Sequence, residues 1–226
     1  MHTPISLPLA RTALLLIDLQ EEHRHDQRYL VGNYDQVLAR CAVLLDMARA
    51  QNLGVVHAAF VRDFSRVPPR PFEPVQDDGS PAFSAPGSNL TDICPEVAPT
   101  KDEVVFPKNN LSCFSEADFL EHLHQRPEWL VICGVWSEAC VSATVRDAIE
   151  HGIRVLLVKD ACGSATDAMH QSAILTLANR LYGGAICDTQ TAVALMQGQE
   201  RPAWRPTGPV PLRFDATTMA AVYDTL

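Results

Sequence analysis

The chain contains no stretch of about 20 apolar residues, the length a membrane-spanning helix needs. It opens without a charged segment leading into an apolar run, so the expectation is cytoplasmic residence and no membrane partner. Basic residues are scarce: 18 Lys and Arg stand against 27 Asp and Glu, for a formal net charge of -9. With no basic run to neutralise phosphates, nucleic acid is excluded as the expected partner. The seven cysteines include no C-x-x-C, which removes a zinc ribbon and a thioredoxin-type redox pair. No G-x-G-x-x-G follows the first apolar run, so a dinucleotide site has no support, and no internal repeat is present. What remains is an ordinary globular composition, 47% hydrophobic and 20% charged over 226 residues, which fits one core.

Apolar runs and helical periodicities alternate along this chain. Thr12–Ile17 is continuously apolar and ends at Asp18, the pattern of a central parallel strand buried on both faces. Residues 34–51 place Val37, Leu38, Cys41, Leu44, Leu45 and Ala48 at helical spacing, and Val55–Val61 reads as a second strand. Between Arg62 and Lys101 eight prolines break up any regular element, which predicts a long functional loop. A third strand, residues 103–108, ends at Lys108, and Ser115 is placed to cap a helix reaching about His124. The fourth strand, Trp129–Gly134, runs into a helix carrying Cys140, and the fifth covers residues 153–160. A helix over 167–182, a short strand at Ala185–Cys187, a helix near 191–196 and a small one at 216–223 complete the pattern. The expected fold is therefore α/β, a doubly wound, six-stranded, mostly parallel sheet with helices on both faces.

In such sheets ligands bind beyond the carboxyl ends of the strands. Three reactive side chains fall there: Asp18, Lys108 and Cys140. A cysteine nucleophile needs a base to take its proton and a cation to steady the charge, and Asp18 and Lys108 are those chemical types. In the first turn of a helix Cys140 should also ionise more readily than a free thiol. The turn from Val135 to Cys140 is placed to supply backbone N–H groups to an oxyanion. Such a set would attack a carbonyl carbon and expel an amine.

Four ordered motifs carry a resemblance: residues 13–20 (ALLLIDLQ), Pro86-Gly87-Ser88 through Pro99, residues 108–114 (KNNLSCF), and residues 134–141 (GVWSEACV) followed by Asp160-Ala161. Together they resemble the isochorismatase-like cysteine hydrolases, over about residues 10 to 198. The resemblance implies Asp18 as general base, Lys108 as assisting cation and Cys140 as acylated nucleophile. It also implies a cis peptide at Val135-Trp136 that aims the Trp136 and Cys140 N–H groups at the oxyanion, and a homo-oligomer. The metal-binding branch resembles Asp-x-His-x-His after the second strand, where this chain has Phe60-Val61-Arg62-Asp63-Phe64-Ser65, so no metal and no other cofactor is expected. A retained Cys140 favours C–N bonds of small amide, carbamoyl or ureide substrates. The rival readings are a thiol redox sensor and a catalytically idle oligomeric binding protein of the same fold.

Residues 1–198 are read as the hydrolase domain, and 199–226 as a proline-rich tail packed on it or on a neighbouring subunit. Gln20, Phe64, Phe83, Phe114 and Trp136 are the candidates for the substrate pocket. Glu21 and Glu22 read as a solvated face or an oligomer contact, His23 and His25 as solvated, and His170 as an exposed helix residue.

Overall fold

The computed structural model describes residues 1–123 and 126–226. Its centre is a mostly parallel sheet of β1 (His2–Ile5), β2 (Thr12–Ile17), β3 (Gly54–Phe60), β4 (Val104–Lys108), β5 (Trp129–Val135), β6 (Arg154–Gly163), β7 (Ala185–Cys187) and β8 (Arg201–Trp204). The strand order is β1-β8-β7-β6-β5-β2-β3-β4. The six strands expected from the sequence are all present and parallel to one another. The other two were not anticipated: β1 and β8 pair antiparallel with each other, and β8 closes onto β7. Prolines at Pro4 and Pro202 hid them, and both residues sit on this two-stranded edge extension, where proline is tolerated.

Strand β2 is buried along its whole length, with Leu14, Leu15, Leu16 and Ile17 at most 1% exposed. Each such side chain contributes about 1.5–3 kcal/mol on burial, which is why a run with no polar alternation settles at the middle of the sheet. One face of the sheet packs on α2 (Tyr34–Ala50) and α6 (Thr189–Met196) through Leu38, Cys41, Leu45 and Leu195. The other packs on α3 (Phe119–His122), α4 (Ser142–Glu150), α5 (Asp167–Ala178) and α7 (Met219–Asp224) through Phe119, Val145, Ile174 and Leu177. No helix among the described residues is long and apolar enough to cross a membrane.

Several boundaries moved for local reasons. Ser115 does not cap a helix: Cys113–Ser115 is a single 3-10 turn, with Ser112 as its cap, and α3 starts only at Phe119. The expected end of that helix at His124 lies outside the described residues. Helix α6 begins at Thr189 because Asp188 accepts a hydrogen bond from Thr191 N–H at 2.8 Å. Residues 62–101 remain mostly irregular, with 3-10 turns at Asn89–Thr91 and Pro95–Val97.

The chain winds from β2 outward through β3 and β4, then crosses to β5 and winds the other way. The switch point therefore lies between β2 and β5, and a crevice opens there beyond the strand ends.

Candidate active site

Asp18 leaves β2 with φ at +52°, a left-handed conformation that turns the chain out of the sheet at once. Gln20 fixes this turn. Its amide accepts from Phe60 N–H at 2.8 Å and donates to Phe60 O at 3.1 Å and Thr91 O at 2.9 Å. Fully buried, Gln20 ties β2, β3 and the long loop together; contrary to expectation, it is not part of the pocket wall. On the other side of the switch point, β5 ends in a cis Val135–Trp136 peptide, followed by a π-helical turn over Ser137–Val141 that leads into α4. Cys140 lies in that turn and is 7% exposed.

The structure brings Asp18, Lys108 and Cys140 together from three strand ends. Lys108 Nζ is 2.8 Å from Asp18 Oδ2 and 3.2 Å from Cys140 Sγ. It also donates to Asn110 O at 3.2 Å and lies 4.7 Å from the centre of the Phe60 ring, so a fully buried ammonium is surrounded by compensating partners. Burial pulls the Lys108 pKa down, but Asp18 and Cys140 outweigh it and hold the group above the ordinary lysine range. Asp18 Oδ2 meets the Lys108 ammonium, while Oδ1 has no hydrogen-bond partner among the described residues and stays open to a proton.

Cys140 departs from the expectation of an acidified thiol. Burial and the adjacent Asp18 carboxylate push it well above the ordinary cysteine value, against the opposing pull of Lys108. Two charges of opposite sign next to the sulfur largely offset each other, which leaves desolvation in control. Burial and Asp18 together favour the thiol form of Cys140.

Asp18 and Cys140 open on a cavity of about 750 Å³ lined also by Phe60, Tyr29, Phe83, Trp136 and Ala139, with Arg70–Glu73 and Asn109–Leu111. Of the four aromatics named for the substrate pocket, Phe83 and Trp136 line this cavity, and Phe64 and Phe114 do not. Phe64 lies under the guanidinium of Arg62, 4.7 Å away, and Phe114 packs against Phe119 and His151. An aromatic near a motif in sequence has two faces of the sheet to choose from, and sequence distance does not decide between them.

Sequence reasoning missed Glu22, His23, Ser84 and Asn109, all buried and, like Asp18, lining the cavity. Glu22 and His23 are not solvated: α1 (Glu22–His25) carries them inward, where Trp136 Nε1 donates to His23 Nδ1 at 3.2 Å. Burial lowers the His23 pKa and raises Glu22 to about 7. Among the described residues no group of three or more His, Cys, Asp or Glu could hold a metal ion.

The sequence profile of the isochorismatase domain matches residues 12–191. The chain belongs to the isochorismatase family of hydrolases. It is 29% identical to the Bacillus subtilis isochorismatase family protein YddQ over 69% of this chain and 79% of the relative. It is 29% identical to a maleamate amidohydrolase of Pseudomonas putida over 44% of this chain and 47% of that protein. A cysteine hydrolase from Pseudomonas syringae pv. phaseolicola shares the fold, with a TM-score of 0.73, 20% identity, and coverage of 85% of this chain and 95% of that one.

Proposed function

We propose that this isochorismatase-family hydrolase cleaves a C–N bond in a small amide, carbamoyl or ureide substrate through an acyl-thioenzyme on Cys140. The observation that carries the reading is Lys108 Nζ standing within 2.8 Å of Asp18 and 3.2 Å of Cys140, two residues that line the cavity. An amidohydrolase among the relatives supports the C–N assignment.

In this reading the Cys140 thiol gives its proton to Asp18 as sulfur attacks the carbonyl carbon. The resting thiol is therefore not a handicap: transfer occurs in the attack, to a carboxylate with open lone pairs. The oxyanion is held by the backbone N–H groups of Trp136 and Cys140, and Lys108 steadies the charge that moves between Asp18 and Cys140. Asp18 then protonates the leaving nitrogen, the C–N bond breaks, and a thioester remains. Water, deprotonated by Asp18, attacks the thioester; the acid leaves and the thiolate recovers its proton from Asp18.

The test is ammonia release from a panel of small amides and ureides, followed by mass spectrometry of the trapped protein. A mass increment on Cys140 is expected. An adduct on another cysteine, or full turnover by Cys140→Ala, would overturn the assignment.

A further inference from the structure

The cavity holds a second buried acid that this reaction does not use. Glu22 is 4% exposed, and its two oxygens lie 2.7 and 2.9 Å from one hydroxyl, Ser84 Oγ. A hydroxyl has a single proton, so one carboxylate oxygen is always left without that donor. His23 does not supply it, since His23 Nε2 is 4.0 Å from Glu22 Oε1 and is itself buried without a partner. A second wall residue has the complementary shortage. Asn109 is 1% exposed; its Oδ1 accepts from Asp63 N–H at 2.8 Å and from Arg62 at 3.3 Å, which fixes the amide's orientation. Its Nδ2 then carries N–H groups with no acceptor. Buried polar atoms are nearly always paired, so an open acceptor and an open donor lining one cavity mark two positions that a bound molecule can pair.

We infer that Glu22 is a specificity-determining residue that accepts a hydrogen bond from an N–H of the substrate outside the scissile amide. The inference deepens the proposed function, because it assumes that the amide substrate occupies this cavity. A ureido group fits both open positions, with N–H for Glu22 and C=O for Asn109; an ammonium fits Glu22 alone. A carboxylate can accept from Asn109 but offers no proton to Glu22 and is repelled by it. Asp18 and Glu22 both present acid to the interior, and the arginines of the rim are engaged: Arg28 with Asp26, and Arg70 with Glu73 and Asn110. Burial is the main opponent of Glu22 ionisation, Ser84 favours it, and Asp18 and Asp26 oppose it further; Arg28 lines the same cavity. Recognition should therefore strengthen as the pH rises past neutrality.

Four amides that differ only in their distal group test this: 3-ureidopropionamide, β-alaninamide, 3-methoxypropionamide and succinamate. Binding to Cys140→Ser protein is measured by calorimetry at pH 8, with and without Glu22→Met. The ureido and ammonium ligands should bind about tenfold or more tighter than the methoxy and carboxylate ligands, and Glu22→Met should abolish that preference. A ureido ligand tighter than the ammonium assigns the donor to a neutral substrate, and the reverse assigns it to a cation. No preference with Glu22 intact, or a preference that survives Glu22→Met, overturns the inference. Should Glu22→Met fail to fold, the same comparison at pH 5.5 decides: the preference must shrink, and an unchanged one overturns it. Ammonia release by the wild-type protein separates the two readings. Hydrolysis without distal preference leaves the amidohydrolase and removes the role of Glu22, whereas selective binding with no turnover and no Cys140 adduct does the opposite.

Discussion

Lys108 donates to Cys140 Sγ across 3.2 Å from a position where no part of the lysine is exposed. A cation so placed is compensated chiefly by Asp18, 2.8 Å away, and removing either member strands the other in a low-dielectric interior. Lys108→Met should therefore cost about 3–5 kcal/mol of stability and at least ~100-fold in turnover. Lys108→Met with Asp18→Asn should unfold later than Lys108→Met alone, because it removes the stranded charge as well. Chemical denaturation of the wild type, the single variant and the double variant checks the order; a double variant less stable than the single one would show that the pair is not coupled.

The sheet depends on one position where no side chain fits. Gly134 has φ at +124°, and a Cβ there would overlap the backbone of Ile17 on the neighbouring strand. This is where β5 bends beside β2 to set up the turn that carries Cys140. Gly134→Ala should lower stability by ~3 kcal/mol or more and leave little soluble protein, as read by thermal melting. A melting point unchanged from wild type would mean that the strands separate at no cost.

Much of this arrangement was legible in the sequence, and the failures share a cause. Apolar runs without alternation placed β2, β5 and β6 at the centre, because burial on both faces leaves a composition signal. Asp18, Lys108 and Cys140 were legible because each lies at or shortly after a strand's carboxyl end: Asp18 follows β2, Lys108 ends β4 and Cys140 sits in the turn after β5. Glu22, His23 and Asn109 lie in loops or on a one-turn helix, where burial depends on what folds over them. Here that cover comes from Ser84 and from Tyr29, more than 60 and 6 residues from Glu22 and His23 respectively, which no local pattern encodes. Cys140 shows the same limit in chemistry: its helical turn was readable, but the burial that keeps it a thiol was not.

Glu22 should also leave a mark on stability. Its carboxyl, ordinarily near 4.5, is raised to about 7, chiefly by burial, so the folded state holds a proton that the unfolded state gives up between these values. Its contribution is fully present below pH 4.5 and is lost as the pH rises through 7, a difference of roughly 3 kcal/mol. His170, lowered to about 4 by burial, acts oppositely, with stability present above pH 6.5 and lost as the pH falls toward 4. The wild-type curve blends the two, so the measurement is the difference in unfolding free energy between wild type and Glu22→Gln from pH 4 to 8.5. That difference should fall with rising pH; a flat difference would place Glu22 in contact with solvent.

Arg62 organises the long loop. Though only 1% exposed, it reaches Glu73 through two hydrogen bonds of 2.5 and 2.8 Å, and it donates to Val67 O at 2.8 Å and Pro68 O at 3.0 Å. The segment so gathered carries Arg70–Glu73 to the cavity edge. Arg62→Ala should free it, raising KM about tenfold while changing kcat less, since the three reacting side chains sit on other elements. Limited proteolysis should show a new cut within residues 63–80; a wild-type cleavage pattern would assign the loop's order to other contacts.

The carboxyl-terminal tail reaches the turn of the nucleophile through a chain of hydrogen bonds. Ser137, fully buried in the Cys140 turn, donates its hydroxyl proton to Gly163 O at 2.9 Å. It must then accept the 2.7 Å contact from His170 Nδ1, which puts the imidazole proton on Nδ1 and leaves Nε2 to accept from Tyr223 Oη at 3.0 Å. The chain Tyr223, His170, Ser137, Gly163 thus runs in one direction from α7 to the turn. Tyr223→Phe leaves His170 Nε2 without its donor at a half-buried site, at a cost of about 1 kcal/mol. The neutral imidazole is what gives this chain its direction, so the variant should also let His170 take up protons more easily. Turnover by Tyr223→Phe should then weaken at a higher pH than turnover by wild type on the acid side. His170→Gln, which offers a donor and an acceptor to Ser137 and Tyr223, should recover most of the lost stability relative to His170→Ala, and equal losses in these two variants would reduce the chain to simple packing.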